Sequence, residues 1–133
     1  AAPPPKSTGR DMFHLEWLRS LLPAQFAPED IQATLLELSA RAIADSIHQH
    51  CPDSEEIFLC GGGAHNTALR QRLSELLPNL SMSLTNSLGI DADWVEAAAF
   101  AWLAFQTRHG LPGNLPAVTG AKGERILGAI YPA

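Results

Sequence analysis

At 133 residues and 14.3 kDa the chain has the length of one folded domain, and 46% hydrophobic against 17% charged residues excludes a disordered one. A formal net charge of −5, with no two Lys or Arg adjacent, argues against nucleic acid or an acidic membrane surface as the main partner. Cys51 and Cys60 give neither a disulfide framework nor metal spacing. No segment reads as a bilayer span or a signal peptide, so a reducing cytoplasm is expected.

Residues 1–12 read as an extended entry segment, because Pro3-Pro4-Pro5 favours polyproline II. That start has the composition of a linker, as though the chain were a piece of something longer; residues 13–133 form the expected α/β core. A short helix is predicted from Phe13 to Leu22, stopped by Pro23. Pro28-Glu29-Asp30 suits the first turn of a long helix, with proline at the first position and acids at the positive dipole end. Ile31, Leu35, Leu38 and Ala42, joined by Leu36, Ile43 and Ile47, carry that helix to His50. Glu55 to Cys60 reads as a buried strand because its apolar run is unbroken. A helix over Asn66–Leu77 follows. Leu80, Met82 and Leu84 then alternate with polar residues as a half-buried strand does. Strand, helix and strand make a right-handed βαβ unit. After a loop over 86–92, a helix from Trp94 to His109 is expected, closed by Gly110. Residues 113–123 read as an ordered loop and Ile126–Tyr131 as a last short strand. Trp17, Trp94 and Trp102 read as core.

Gly61-Gly62-Gly63-Ala64-His65-Asn66 is the stretch richest in chemistry, since it joins an apolar strand to a helix start. Glycines there leave no Cβ to hold a ligand away and tolerate positive φ. Free amides at the turn favour negative charge. Two readings stand: a tightly packed turn without ligand, or a contact to adenosine or the α-phosphate of a nucleotide. The spacing is neither the dinucleotide fingerprint nor a phosphate loop with Lys-Ser/Thr. Asn66 is either the helix N-cap or a partner for a ribose or loop carbonyl. His65 alone is no metal site.

Glu96 is the second signal, as the single charged residue from Trp94 to Phe105. A helix that apolar is expected to be buried on most sides, where a carboxylate needs donors or a cation. Asp93 as N-cap with Glu96 three residues on would form a capping box. Acceptance of sugar hydroxyls is the other reading. Lys6 to Arg10 is a polar run that either contacts phosphate or anchors a loop. The histidines form no ligand set.

Four stretches, in order, resemble a known family: Pro4-Pro5-Lys6-Ser7-Thr8-Gly9-Arg10, Cys60-Gly61-Gly62-Gly63-Ala64-His65-Asn66, Gly89-Ile90-Asp91-Ala92-Asp93-Trp94-Val95-Glu96-Ala97 and Leu111-Pro112-Gly113-Asn114-Leu115-Pro116-Ala117-Val118-Thr119-Gly120-Ala121. Together they are similar to the C-terminal part of anhydro-N-acetylmuramic acid kinases, from Pro4 to Pro132, with Asp11 where the family more usually has Glu. The resemblance implies the C-terminal lobe of an actin-like (ribonuclease H-like) sugar kinase, a sheet flanked by helices, in a homodimeric bacterial cytoplasmic enzyme. It implies ATP and Mg²⁺, and hydrolytic opening of the 1,6-anhydro ring of anhydro-N-acetylmuramic acid with phosphorylation at O6, in cell-wall sugar recycling. Gly61, Gly62, Gly63 and Asn66 would belong to the adenosine-side turn and Glu96 to the sugar pocket. No catalytic residue is expected in this chain. The family's phosphate loop and water-activating aspartate would lie before Ala1, in an N-terminal lobe, so the chain alone should not turn over. Two alternatives stand beside this reading: a non-catalytic nucleotide-binding or dimerisation module, and a related kinase for another sugar.

Overall fold

A computed structural model describes residue 9, residues 11–22 and residues 26–131. Most of the expected entry segment, including Lys6 and Arg10, and the predicted helix stop at Pro23 lie outside the described residues. Helices α1 (Leu15–Leu21), α2 (Pro28–His50), α3 (Thr67–Leu76), α4 (Val95–Arg108) and α5 (Pro116–Thr119) and strands β1 (Glu56–Leu59) and β2 (Ser81–Leu84) appear in the order α1-α2-β1-α3-β2-α4-α5. Contacts divide the chain into two units. One spans Gln25–Glu96 and the other comprises Ala1–Ala24 with Ala97–Ala133.

The unit over 25–96 holds the βαβ motif. β1 and β2 pair in parallel, with Ile57 opposite Met82 and Leu59 opposite Leu84, so these four share one face of the two-stranded sheet. α2 begins with Pro28 at its first position and Glu29 and Asp30 in its first turn, as the dipole and the missing proline N–H favour. Its buried seam differs from the expected one. Ala40 and Ala44 are buried against Leu73 and Leu77, with Ile47, Ile57, Leu69, Leu76, Leu80 and Met82 packed around them, whereas Leu38, Ala42 and Ile43 are exposed. Small side chains at 40 and 44 let α3 approach closely, which larger ones would prevent. Glu37 on α2 reinforces the junction. Arg72 Nε and Nη2 donate to its two carboxylate oxygens at 2.6 and 2.8 Å, and Arg41 Nε donates at 2.5 Å. The bonds from Arg72, then those from Arg41, pull the Glu37 carboxyl down to about 2.

The other unit is stitched by polar contacts. Asn114 Nδ2 donates to Gly123 O at 3.2 Å, its Oδ1 accepts from Arg125 N at 2.6 Å, and Gly113 N donates to Arg125 O at 3.0 Å. Thr107 Oγ1 donates to Leu103 O at 2.9 Å and to Leu127 O. Residues 126–131 form no strand. The expectation fails because the segment spends its backbone and side chains on α4 and its own bends, with Gly128 at φ +91°. Residues 113–123 include the one-turn helix α5. In α1, His14 Nδ1 caps the helix by accepting from Trp17 N at 3.2 Å, and Phe13 meets the Trp17 ring edge-on at 5.0 Å.

α4 departs most from expectation. Despite its apolar sequence, none of its residues is buried. Trp94, Phe100, Trp102 and Phe105 are 52–68% exposed, so Trp94 and Trp102 are not core and Trp17 is half-buried. Apolar composition predicted the helix correctly and its cover wrongly, because the described residues half-bury only Val95, Leu103, Gln106 and Thr107 of α4.

Candidate functional site

In a βαβ unit both strands run the same way, so the bends that follow them emerge at one edge of the sheet, where ligands of open α/β folds sit. Here those bends are residues 60–66 after β1 and residues 85–94 after β2. Gly61 takes φ +72°, which only glycine adopts without strain. Gly62–His65 then make one turn of 3₁₀ helix before Asn66 caps α3, accepting from Leu69 N at 3.1 Å. The helix therefore begins at Thr67, and the glycines form a separate turn rather than its opening.

The surroundings of that turn are open. A Cβ added at Gly61 or Gly62 would meet nothing within 4 Å, and at Gly63 only Leu69 Cδ2 at 3.9 Å. Packing within this chain therefore demands no glycine at 62 or 63. Gly61 N donates to Ala92 O at 2.8 Å, while the amides of Gly62 and Gly63 donate to no acceptor among the described residues. Gly62, Gly63 and His65 are exposed, whereas Ala64 is buried and anchors the turn.

The bend after β2 is held by its own polar residues. Asn86 Nδ2 donates to Asp91 Oδ2 at 2.9 Å, and Asn86 Oδ1 accepts from Ala92 N at 3.1 Å. Asp91 Oδ1 accepts from Asp93 N at 2.9 Å, and Asp91 O accepts from Trp94 N at 2.9 Å. Thr85, at the start of this bend, is buried with its hydroxyl unpartnered. The expected capping box is absent. Asp93 turns its carboxylate to His65 instead, with Nε2 and Oδ1 2.6 Å apart. A carboxylate only accepts, so Nε2 carries the proton. Glu96, the second residue of α4, is exposed and accepts no hydrogen bond from a described residue. It is thus solvated rather than buried, because α4 itself is.

Of the residues singled out from the sequence, Gly61, Gly62, Gly63 and Asn66 lie together after β1. Gly61 is tied directly to Ala92, four residues before Glu96. The Asn66 amide oxygen serves as cap, and no described group accepts from its nitrogen. The His65–Asp93 pair escaped sequence reading because 28 residues separate its members. The signal that could have found it is the parallel pairing itself. Among the described residues no cluster of three His, Cys, Asp or Glu could hold a metal ion, and both cysteines are free. No described helix is long and apolar enough to cross a membrane. In the other unit an apolar groove of about 760 Å³ lies between α4 and residues 127–130.

A parallel two-stranded sheet joined through a helix places the chain among α/β proteins. Comparison with known proteins is more specific. The family model described as anhydro-N-acetylmuramic acid kinase matches residues 1–133. Proteins named anhydro-N-acetylmuramic acid kinase from Nitrosomonas europaea, Nitrosospira multiformis and Thiobacillus denitrificans are 59%, 56% and 56% identical over 98% of this chain. The chain belongs to the anhydro-N-acetylmuramic acid kinase family. It spans 36% of the length of each of these three relatives.

Proposed function

We propose that this chain is the C-terminal lobe of an ATP-dependent anhydro-N-acetylmuramic acid kinase, which takes the nucleotide on Gly61–Gly63 and presents Glu96 to the sugar. The observation that carries the nucleotide side is the pair of open amides at Gly62 and Gly63, in a turn where no packing within the chain calls for glycine. Two N–H groups aimed outward from a bend without side chains suit a phosphate or ribose oxygen. Glu96 supports the sugar side through its place on the same sheet edge, two residues past the bend tied to Gly61. An exposed carboxylate with no protein donor is ready to accept from sugar hydroxyls.

In the overall reaction of the family, water adds to C1 of the anhydro-sugar, the bond from C1 to O6 breaks, and O6 receives the γ-phosphoryl group while ADP leaves. This chain orients the two reactants for that exchange. Phosphoryl transfer also needs a phosphate cradle, a metal and an oriented nucleophile. The described residues bring no three His, Cys, Asp or Glu side chains together as a metal cluster, and Mg²⁺ would be held chiefly by the nucleotide phosphates and carboxylates of the other lobe. The phosphate loop and the water-activating aspartate belong to the N-terminal lobe, with which this lobe forms the two-domain, actin-like enzyme. The enzyme acts in the cytoplasm, as a homodimer, in cell-wall sugar recycling.

Two assays test the proposal. Calorimetry should show ADP binding to the chain and its loss in Gly62→Val, while coupled ADP-release assays should show no turnover by the chain alone. A chimera in which the chain replaces the matching stretch of the Nitrosomonas europaea relative should turn over anhydro-N-acetylmuramic acid with ATP. An inactive but folded chimera, or ADP affinity untouched by Gly62→Val, would overturn it.

A further inference from the structure

We infer that His65 and Asp93 form a positioning latch that keeps the glycine turn in register with the start of the helix carrying Glu96. The inference rests on the proposed roles of Gly61–Gly63 and Glu96. Two ties join the bends after β1 and β2, and they differ in kind. Gly61 N to Ala92 O, at 2.8 Å, is backbone to backbone. His65 Nε2 to Asp93 Oδ1, at 2.6 Å, is side chain to side chain. They grip the glycine turn at both ends, since Gly61 precedes the 3₁₀ turn and His65 ends it.

On the other side the grip falls on a bend already braced within itself by Asn86 and Asp91. A shift of the glycine turn is therefore carried to Trp94 and Val95 as a body, and Glu96 moves with them. Asp93, two residues before α4, spends its carboxylate on this tie. The two side chains are 60% and 57% exposed, and an ion pair so exposed contributes little to stability. Its consequence is orientation, which catalysis reads far more sensitively than folding does. His65 and Asp93 are positioning residues, acting through the turn and through Glu96.

The test begins with amide hydrogen exchange on the 133-residue chain. His65→Ala should lower protection of the Gly61 amide about tenfold while the melting temperature holds. His65→Gln, whose amide can still donate to Asp93, should restore it. Unchanged Gly61 protection in His65→Ala would overturn the latch whatever the ligand. In the chimera, His65→Ala and Asp93→Ala should each raise the sugar KM about tenfold with kcat changed less than about threefold, and the double variant should cost no more than either alone. Additive losses, or a sugar KM that ignores both changes, would also overturn it. An active chimera whose nucleotide affinity depends on Gly62 but whose sugar KM ignores His65 would sink the latch alone. Loss of the Gly62 dependence would instead sink the proposed function.

Discussion

Gly113 lies in irregular backbone and Gly62 opens a 3₁₀ turn, and a methyl group would meet opposite surroundings at the two positions. At Gly113 it would come within 3.0 Å of Leu103 Cδ2 and 3.3 Å of Leu127 Cγ. There a methyl group would force the Leu103 and Leu127 side chains to give way by a few tenths of an ångström. At Gly62 the added carbon would touch nothing, and its φ is not positive. Packing among the described residues thus does not call for glycine at 62, and under the proposed function a nucleotide that approaches the backbone there supplies the reason.

The largest effects should come from the ligand side. Gly62→Val should weaken ADP binding by at least about a hundredfold in calorimetry, and retained affinity would make the two glycines alike after all. Glu96→Gln should lower sugar turnover in the chimera by a similar factor, about a hundredfold, with ADP affinity intact. A parallel loss of ADP affinity would deny the division of labour between the two bends. Next comes Gly113→Ala, where overpacking should cost about 1–3 kcal/mol in denaturant unfolding, with ADP binding unchanged. Gly62→Ala should shift stability by no more than about 0.5 kcal/mol; a larger cost would reveal a packing need that the open space does not show.

The smallest effect concerns acid. Glu37 titrates near 2 in the folded chain against 4.5 ordinarily, chiefly through its bonds from Arg72. A folded-state pKa depressed in this way stabilises fully above 4.5 and is lost as pH falls from there towards 2. Because solvent screens the pair, Glu37→Gln should remove only a few degrees, about 5 °C or less, of the melting temperature at neutral pH. Its melting temperature should converge with that of the parent chain near pH 2, and equal curves throughout would show that the α2–α3 junction owes nothing to this ion pair.

Much of the unit over 25–96 was legible in the sequence, because its signals are local. Pro28 with two acids announced the start of α2, an unbroken apolar run announced β1, and alternation over 80–84 announced β2. The glycine turn was legible as a motif, though not as a 3₁₀ turn distinct from α3. What stayed hidden depends on partners distant in sequence. Asp93 looks like a cap until His65, 28 residues earlier, is brought beside it by strand pairing. Asp91, two residues before it, does the local bracing instead. Apolar residues of α4 announced a helix but not its exposure, since composition says what a surface prefers and not whether a cover is at hand. Ile126–Tyr131 has strand-like residues and joins no sheet among the described ones.

The most direct measurement is an amide-resolved NMR titration of the chain with ADP. Saturable shifts should concentrate on Gly62 and Gly63 and leave Gly113 and Gly128 where they are. Shifts that spare residues 61–66 and gather elsewhere would contradict a nucleotide seated on this bend.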